Sequence, residues 1–211
     1  MNKAIICVAI CVCFLPGAVS AQDMDYKKPP TIAVHLALND FQTAADVRKN
    51  GLGDVLAKGN WTSTKRMYAG LGISYMRGIS NLLDFATTLT GSYVNYPVPN
   101  TIGDGQNHLL LEAVATANLK LLPDNFCVVP YITAGLGASK YKGYYGAIMP
   151  IGLGIQAKVI DQATLFINTQ YRIPVTTTTG AYHLYHSFGI GFTMPKKVMT
   201  PAVDVTMPAS N

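Results

Sequence analysis

Two stretches of this chain alternate apolar and polar residues without interruption. From 109 to 121, one parity carries Leu109, Leu111, Ala113, Ala115, Ala117, Leu119 and Leu121. The other carries Leu110, Glu112, Val114, Thr116, Asn118 and Lys120. From 147 to 159, Ala147, Met149, Ile151, Leu153, Ile155, Ala157 and Val159 alternate with Ile148, Pro150, Gly152, Gly154, Gln156 and Lys158. A helix would scatter such residues around its circumference, whereas a strand collects each set on one face. Six less regular versions lie near 31–38, 66–77, 82–94, 126–139, 163–173 and 182–194. Several exceed the globular mode of about 5–6 residues. They reach the roughly 9–11 residues that a tilted strand needs to cross a bilayer.

The connections alternate in length. Segments 78–81, 123–125 and 160–162 are tight turns, whereas 39–65, 95–108, 140–146 and 174–181 are longer. Short turns at one end and long loops at the other, with an even strand count, predict an all-β fold. It is an eight-stranded antiparallel up-and-down transmembrane β-barrel over residues 31–194. Pro130 and Pro150 cannot donate to a ladder, so bulges are expected at the barrel rim.

Alternation alone does not say which face is outside; composition does. Charged residues are 13% of the chain and mean hydropathy is +0.23, against a charged share of about 25% in soluble domains. That excludes a disordered chain. A soluble lipid carrier would turn its apolar parity inward and cover its outside with Lys and Glu. The polar parity here instead holds Gly72, Gly135, Gly137, Gly152, Gly154, Gly189 and Gly191. Small residues suit the interior of a narrow barrel, which has room only for packed side chains. The apolar parity is therefore expected to face lipid. On that face Tyr75, Phe85 and Phe192 fall near the short-turn end, and Tyr93, Tyr171 and Tyr182 near the long-loop end. Two such rings mark membrane interfaces. The basic residues are scattered despite a net charge of +5, and no nucleic acid partner is expected.

The chain opens with Met1-Asn2-Lys3, an apolar run Ala4 to Leu15, and small residues Val19-Ser20-Ala21. This predicts an export signal over 1–21, cleaved after Ala21, and a location in the cell outer membrane. Residues 22–30 form a short N-terminal segment and 195–211 a flexible tail. Cys7, Cys11 and Cys13 leave with the signal, and no lipoprotein processing site precedes them. Cys127 remains, as a small strand residue, which excludes an internal disulfide framework and a Cys-based zinc site.

Inward charges are then the candidate functional group. Arg66, Glu112 and Arg172 fall towards the long-loop end, and Asp84, Lys120 and Lys158 towards the short-turn end. Asp84 and Lys120 are natural partners, and Glu112 can pair with Arg172 or Arg66. Buried charges need partners, so a hydrogen-bonded luminal network is expected, plugging the barrel. The role this implies is structural, a scaffold displaying its loops at the cell surface. The alternatives are a narrow ion channel and, less favoured, a lipid A-modifying enzyme. His35, His183, Tyr185 and Ser187 share the inward face, but His183 and Ser187 are about 13 Å apart along a strand. No catalytic residue, metal or cofactor is expected. In the loops, a short helix is expected near 43–56. The basic, aromatic segment 140–146 is expected to pack its rings on the barrel rim, the alternative being contact with lipopolysaccharide phosphates. Asn60-Trp61-Thr62 matches the short glycosylation sequon.

Three stretches carry a family resemblance. Leu38-Asn39-Asp40-Phe41-Gln42-Thr43-Ala44-Ala45, Lys140-Tyr141-Lys142-Gly143-Tyr144-Tyr145-Gly146-Ala147 and Gln170-Tyr171-Arg172-Ile173-Pro174-Val175 look like the N-terminal barrel domain of OmpA-family outer-membrane proteins. The ending Phe188-Gly189-Ile190-Gly191-Phe192 resembles the terminal signal such barrels present to the assembly machinery. The resemblance implies the barrel, its lipid surroundings and that assembly route, and it brings no catalytic residue. It stops at residue 194. The family's periplasmic peptidoglycan-binding domain has no counterpart in 195–211, so cell-wall anchoring is not implied.

Overall fold

The computed structural model describes residues 27–59, 61, 64–99, 105–160 and 162–194. The export signal, the C-terminal tail, and Asn60 and Thr62 of the sequon lie outside them.

Eight strands close into one antiparallel barrel in sequence order. They are β1 (Thr31–Asp40), β2 (Tyr68–Gly78), β3 (Leu83–Val94), β4 (His108–Lys120), β5 (Val128–Tyr141), β6 (Tyr144–Ile160), β7 (Ala163–Pro174) and β8 (His183–Thr193). Closure is made by β1 against β8, from Thr31 opposite Thr193 to Asp40 opposite Leu184. A closed barrel leaves no unpaired sheet edge in lipid, where an unsatisfied backbone group would cost several kcal/mol.

The apolar parity is outside. Ile32, Val34, Leu36, Leu71, Ile73, Leu89, Leu136, Leu153, Ile155, Ile167 and Phe188 are all exposed, while Ala33, His35, Ser74, Thr90, Glu112, Thr116 and Thr133 are buried. The lumen is tight because its glycines make it so. A β-carbon on Gly72 would sit 2.2 Å from the His35 Nε2, and one on Gly154 would sit 2.1 Å from the Tyr131 ring. Each glycine gives up its side-chain space to a large polar ring from a neighbouring strand.

Four local expectations change. β5 and β6 run up to a two-residue turn, Lys142-Gly143, so 140–146 is a hairpin tip and not a loop. Lys142 takes φ 52° there. The register passes straight through Pro130, which faces Ile155. Ala134–Ile151 and Gly137–Ile148 keep one register on either side of Pro150. The register shift lies instead between Lys158 and Ile160, against β7. Cys127 falls just before β5 and is exposed.

The first loop is built on β1 itself. Asp40 ends the strand and caps α1 (Phe41–Asn50), its Oδ1 accepting from the Thr43 N–H at 2.8 Å and its Oδ2 from the Thr43 hydroxyl at 2.6 Å. A carboxylate cap of this kind is worth about 1 kcal/mol. Gly51 (φ 85°) then breaks the helix, and α2 (Leu52–Ala57) follows. The helix expected near 43–56 therefore starts earlier and is split in two.

Candidate functional site: the sealed lumen

Inward side chains form three layers along the barrel axis. The layer at the short-turn end is a ring of alternating charge. Lys120 on β4 contacts Asp84 on β3 at 2.8 Å and Asp124, in the β4–β5 turn, at 2.6 Å. Asp124 Oδ1 accepts from the Gln156 side-chain amide at 2.7 Å, and Gln156 Oε1 accepts from the Lys28 ammonium at 2.6 Å. Lys28 returns to Asp84 at 3.8 Å. Two lysines and two aspartates cancel, so the ring is neutral. Lys28 precedes β1, and its backbone carbonyl accepts from the Gly78 N–H at 2.9 Å, which folds the N-terminal segment into the mouth. Burial pushes the Lys28 ammonium below its usual range, while Asp84 and Asp124 pull it back up.

The middle layer is uncharged. His35 Nε2 meets the Tyr185 hydroxyl at 2.8 Å, and that hydroxyl lies 3.1 Å from Thr90 Oγ1. Phe166 meets the other side of the His35 ring edge-on, with centroids 5.8 Å apart. Ser74 and Thr88 bridge β2 and β3 at 2.8 Å. The cavity whose walls include His35, Ser74, Thr88, Phe166 and Tyr185 measures about 30 Å³, room for one or two waters.

Above it sits a triad. The Arg172 guanidinium donates to Glu112 Oε2 and stacks 3.5 Å from the centre of the Tyr185 ring. His183 Nε2 lies 3.2 Å from Glu112 Oε1, and His183 Nδ1 lies 3.1 Å from the Ala181 carbonyl. A carbonyl only accepts, so Nδ1 carries a hydrogen. All three side chains are at most 1% exposed. An apolar stopper of Phe41, Val94, Tyr96, Leu110 and Tyr141 closes the long-loop end over them. The Phe41 and His183 ring centroids are 4.9 Å apart, and the Tyr96 hydroxyl accepts from the Ala181 N–H at 2.7 Å. Burial pushes the Tyr96 phenol up to about 12.

Two of the sequence-derived luminal residues lie elsewhere. Arg66 is in a short 3₁₀ turn, Thr64–Arg66, before β2; it pairs with Asp46 on α1 at 3.1 Å and not with Glu112. The chain has left the strand there, so parity does not apply. Lys158 has inward parity but lies at the open mouth beside the register shift, where it is exposed. Asp84, Lys120, Glu112 and Arg172 are buried. Lys28, Asp124, Gln156, Phe166 and the stopper are additions. Gln156 and Phe166 had the parity to be found. Lys28, Phe41, Asp124 and Tyr96 lie outside the alternating runs and carried no such signal.

The outer aromatics sit at both ends. Tyr75 and Phe192 flank Ile32 from either side, and Phe85 faces Arg77. Tyr93 is 66% exposed. Tyr171 and Tyr182 stack 5.9 Å apart, and Arg48 of α1 covers Tyr182 at 4.0 Å from the ring centre. His35 is hydrogen-bonded to Tyr185, His183 lies against the Glu112 carboxylate, and Ser187 hydrogen-bonds neither histidine. His186 faces outward and pairs with the Thr169 hydroxyl at 3.0 Å.

No protein-family model and no curated protein matches the sequence. Solved structures do match. The chain superposes on Neisserial surface protein A with 15% identity, 81% of this chain and 100% of that one covered, and a TM-score of 0.51. The outer-membrane protein OprG from Pseudomonas aeruginosa matches with 10% identity, coverages of 80% and 97%, and a TM-score of 0.51. The N-terminal barrel domain of Pseudomonas aeruginosa OprF gives 11%, 79% and 98%, and 0.48. The fold that Neisserial surface protein A and OprG share with this chain is the eight-stranded transmembrane β-barrel of outer-membrane proteins.

Proposed function

We propose that this protein is a structural barrel of the outer membrane, closed along its axis, that holds its loops at the cell surface. One observation carries the proposal: three packed layers and an apolar stopper fill the lumen, leaving about 30 Å³ in the middle layer. The outward apolar band and the aromatics at both ends support immersion in outer-membrane lipid, with lipopolysaccharide at the long-loop side. The alternation of Phe188, Ile190 and Phe192 beside β1 supports insertion by the barrel-assembly machinery. The finer likeness to the OmpA-family N-terminal barrel rests on stretches 38–45, 140–147 and 170–175, and we include it in the proposal. The network Asp84, Lys120, Glu112 and Arg172 acts in it as filling and clamp, and no residue is assigned to catalysis.

Planar-bilayer recording tests the reading. The refolded full chain should insert, show heat-dependent mobility on gels, and give no steady single-channel current. Steady conductance altered by Glu112→Gln or Arg172→Met would favour a channel instead.

A further inference from the structure

The long-loop end holds a second feature that a filled lumen does not require. Three connections meet there: α1, the segment after β3, and the segment between β7 and β8. Between them lies a cleft of about 380 Å³, whose walls include Phe41, Pro97, Pro99, Pro174 and Tyr182. That volume falls within the range of about 300–1,000 Å³ typical of small-molecule sites. Prolines have no N–H to offer, so this part of the wall presents apolar faces.

The cleft also contains a placed cation. Arg48 belongs to its lining, and its guanidinium carbon lies over the Tyr182 ring, 4.0 Å from the ring centre. No carboxylate engages it among the described residues, although Asp46 and Asp54 on the same loop are taken by Arg66 and Lys58. A ring holds a guanidinium through its charge and leaves N–H groups free to donate, and the planar fork they form matches a carboxylate or phosphate through two bonds. Ala45, one turn from Arg48 on α1, is exposed and narrows the cleft no further.

We propose that this cleft binds a small amphiphilic anion: an acidic group on Arg48 and an aromatic or aliphatic body against Phe41 and the prolines. The idea is independent of whether the lumen conducts. An anionic lipid headgroup offers the same chemistry as a soluble acid, so the test must separate them.

The probe is 4-fluorophenylacetate, observed by fluorine NMR with the full-length protein in phosphatidylcholine nanodiscs. Its uncharged partner is 4-fluorophenylacetamide. The acid should bind saturably, at least tenfold more tightly than the amide. Arg48→Gln should abolish that preference. Ala45→Trp, which fills the cleft and leaves the charge in place, should weaken the acid at least tenfold. Both variants should keep heat-dependent gel mobility, which shows that they fold. Competition by lipopolysaccharide added to the nanodiscs would assign the site to the membrane's own lipid; no competition would assign it to a soluble acid. Equal binding of acid and amide, or binding unchanged in both folded variants, would overturn the proposal.

Discussion

Replacing Arg172 with methionine should be among the most damaging single changes to this barrel. The substitution keeps an unbranched side chain and deletes the guanidinium that donates to Glu112 and covers Tyr185. Glu112 is 1% exposed, so water cannot take over the lost contact. Removing one member of a buried ion pair costs about 3–5 kcal/mol, and losing a desolvated cation over an aromatic ring adds about 1–2 kcal/mol. His183 remains 3.2 Å from the carboxylate and offsets part of this, which puts the expected loss near 3–5 kcal/mol. That is a factor of roughly 10²–10⁴ in the folded ratio, at 1.4 kcal/mol per decade. The assay is urea unfolding of the barrel in phospholipid vesicles, followed by gel mobility and circular dichroism. The double variant Glu112→Gln with Arg172→Met removes the stranded charge as well. It should recover about 2 kcal/mol relative to Arg172→Met alone, a coupling typical of contacting residues. A single variant within 1 kcal/mol of wild type, or a double variant less stable than either single, would refute the reasoning.

Other perturbations separate the remaining parts of the account. Gly72→Ala drives a methyl into the His35 ring and should cost about 1–3 kcal/mol, a cost relieved by adding His35→Ala; equal losses in the two would count against the packing argument. Leu153→Arg, on the exposed apolar face of β6, should cost about 2–4 kcal/mol if it lies near the bilayer midplane. Leu121→Arg, at the short-turn end, should cost about 0–1 kcal/mol. The Tyr96 phenol, raised to about 12, stays protonated in the folded state after it would ionise in the unfolded chain. Its contribution is complete below pH 10 and is lost as pH climbs from 10 to 12. The wild-type-minus-Tyr96→Phe difference at 295 nm should therefore show its phenolate only near pH 12, and a midpoint at pH 10 would contradict the burial of Tyr96.

What the sequence discloses here follows from where parity holds. Leu109 to Leu121 announces two faces, and a narrow barrel leaves one of them no choice but to be small or polar. Asp84 and Lys120 sit on neighbouring strands at the same depth, so their closeness follows from hairpin geometry. Parity loses its meaning where the backbone leaves the strand. The pattern near 66–77 places Arg66 at a strand start, but the chain there turns through a 3₁₀ segment and sends it to Asp46. Lys158 keeps its parity and loses its burial, because the register shifts at the mouth. Lys28 and Phe41 enter the lumen from outside the alternating runs. Nothing periodic marks a residue that plugs an end, and the cleft around Arg48 depends on three connections whose mutual approach no local pattern specifies.

The central claim is that the apolar parity touches acyl chains while the polar parity is sealed inside. Nitroxide labels placed one at a time at Ala113, Val114, Ala115, Thr116 and Ala117 of β4, with Cys127 replaced by serine, test it in lipid vesicles. Collision rates with oxygen, which concentrates in the hydrocarbon, should be high at 113, 115 and 117 and low at 114 and 116. The reverse alternation, or a flat profile accessible to a water-soluble nickel relaxant, would contradict it.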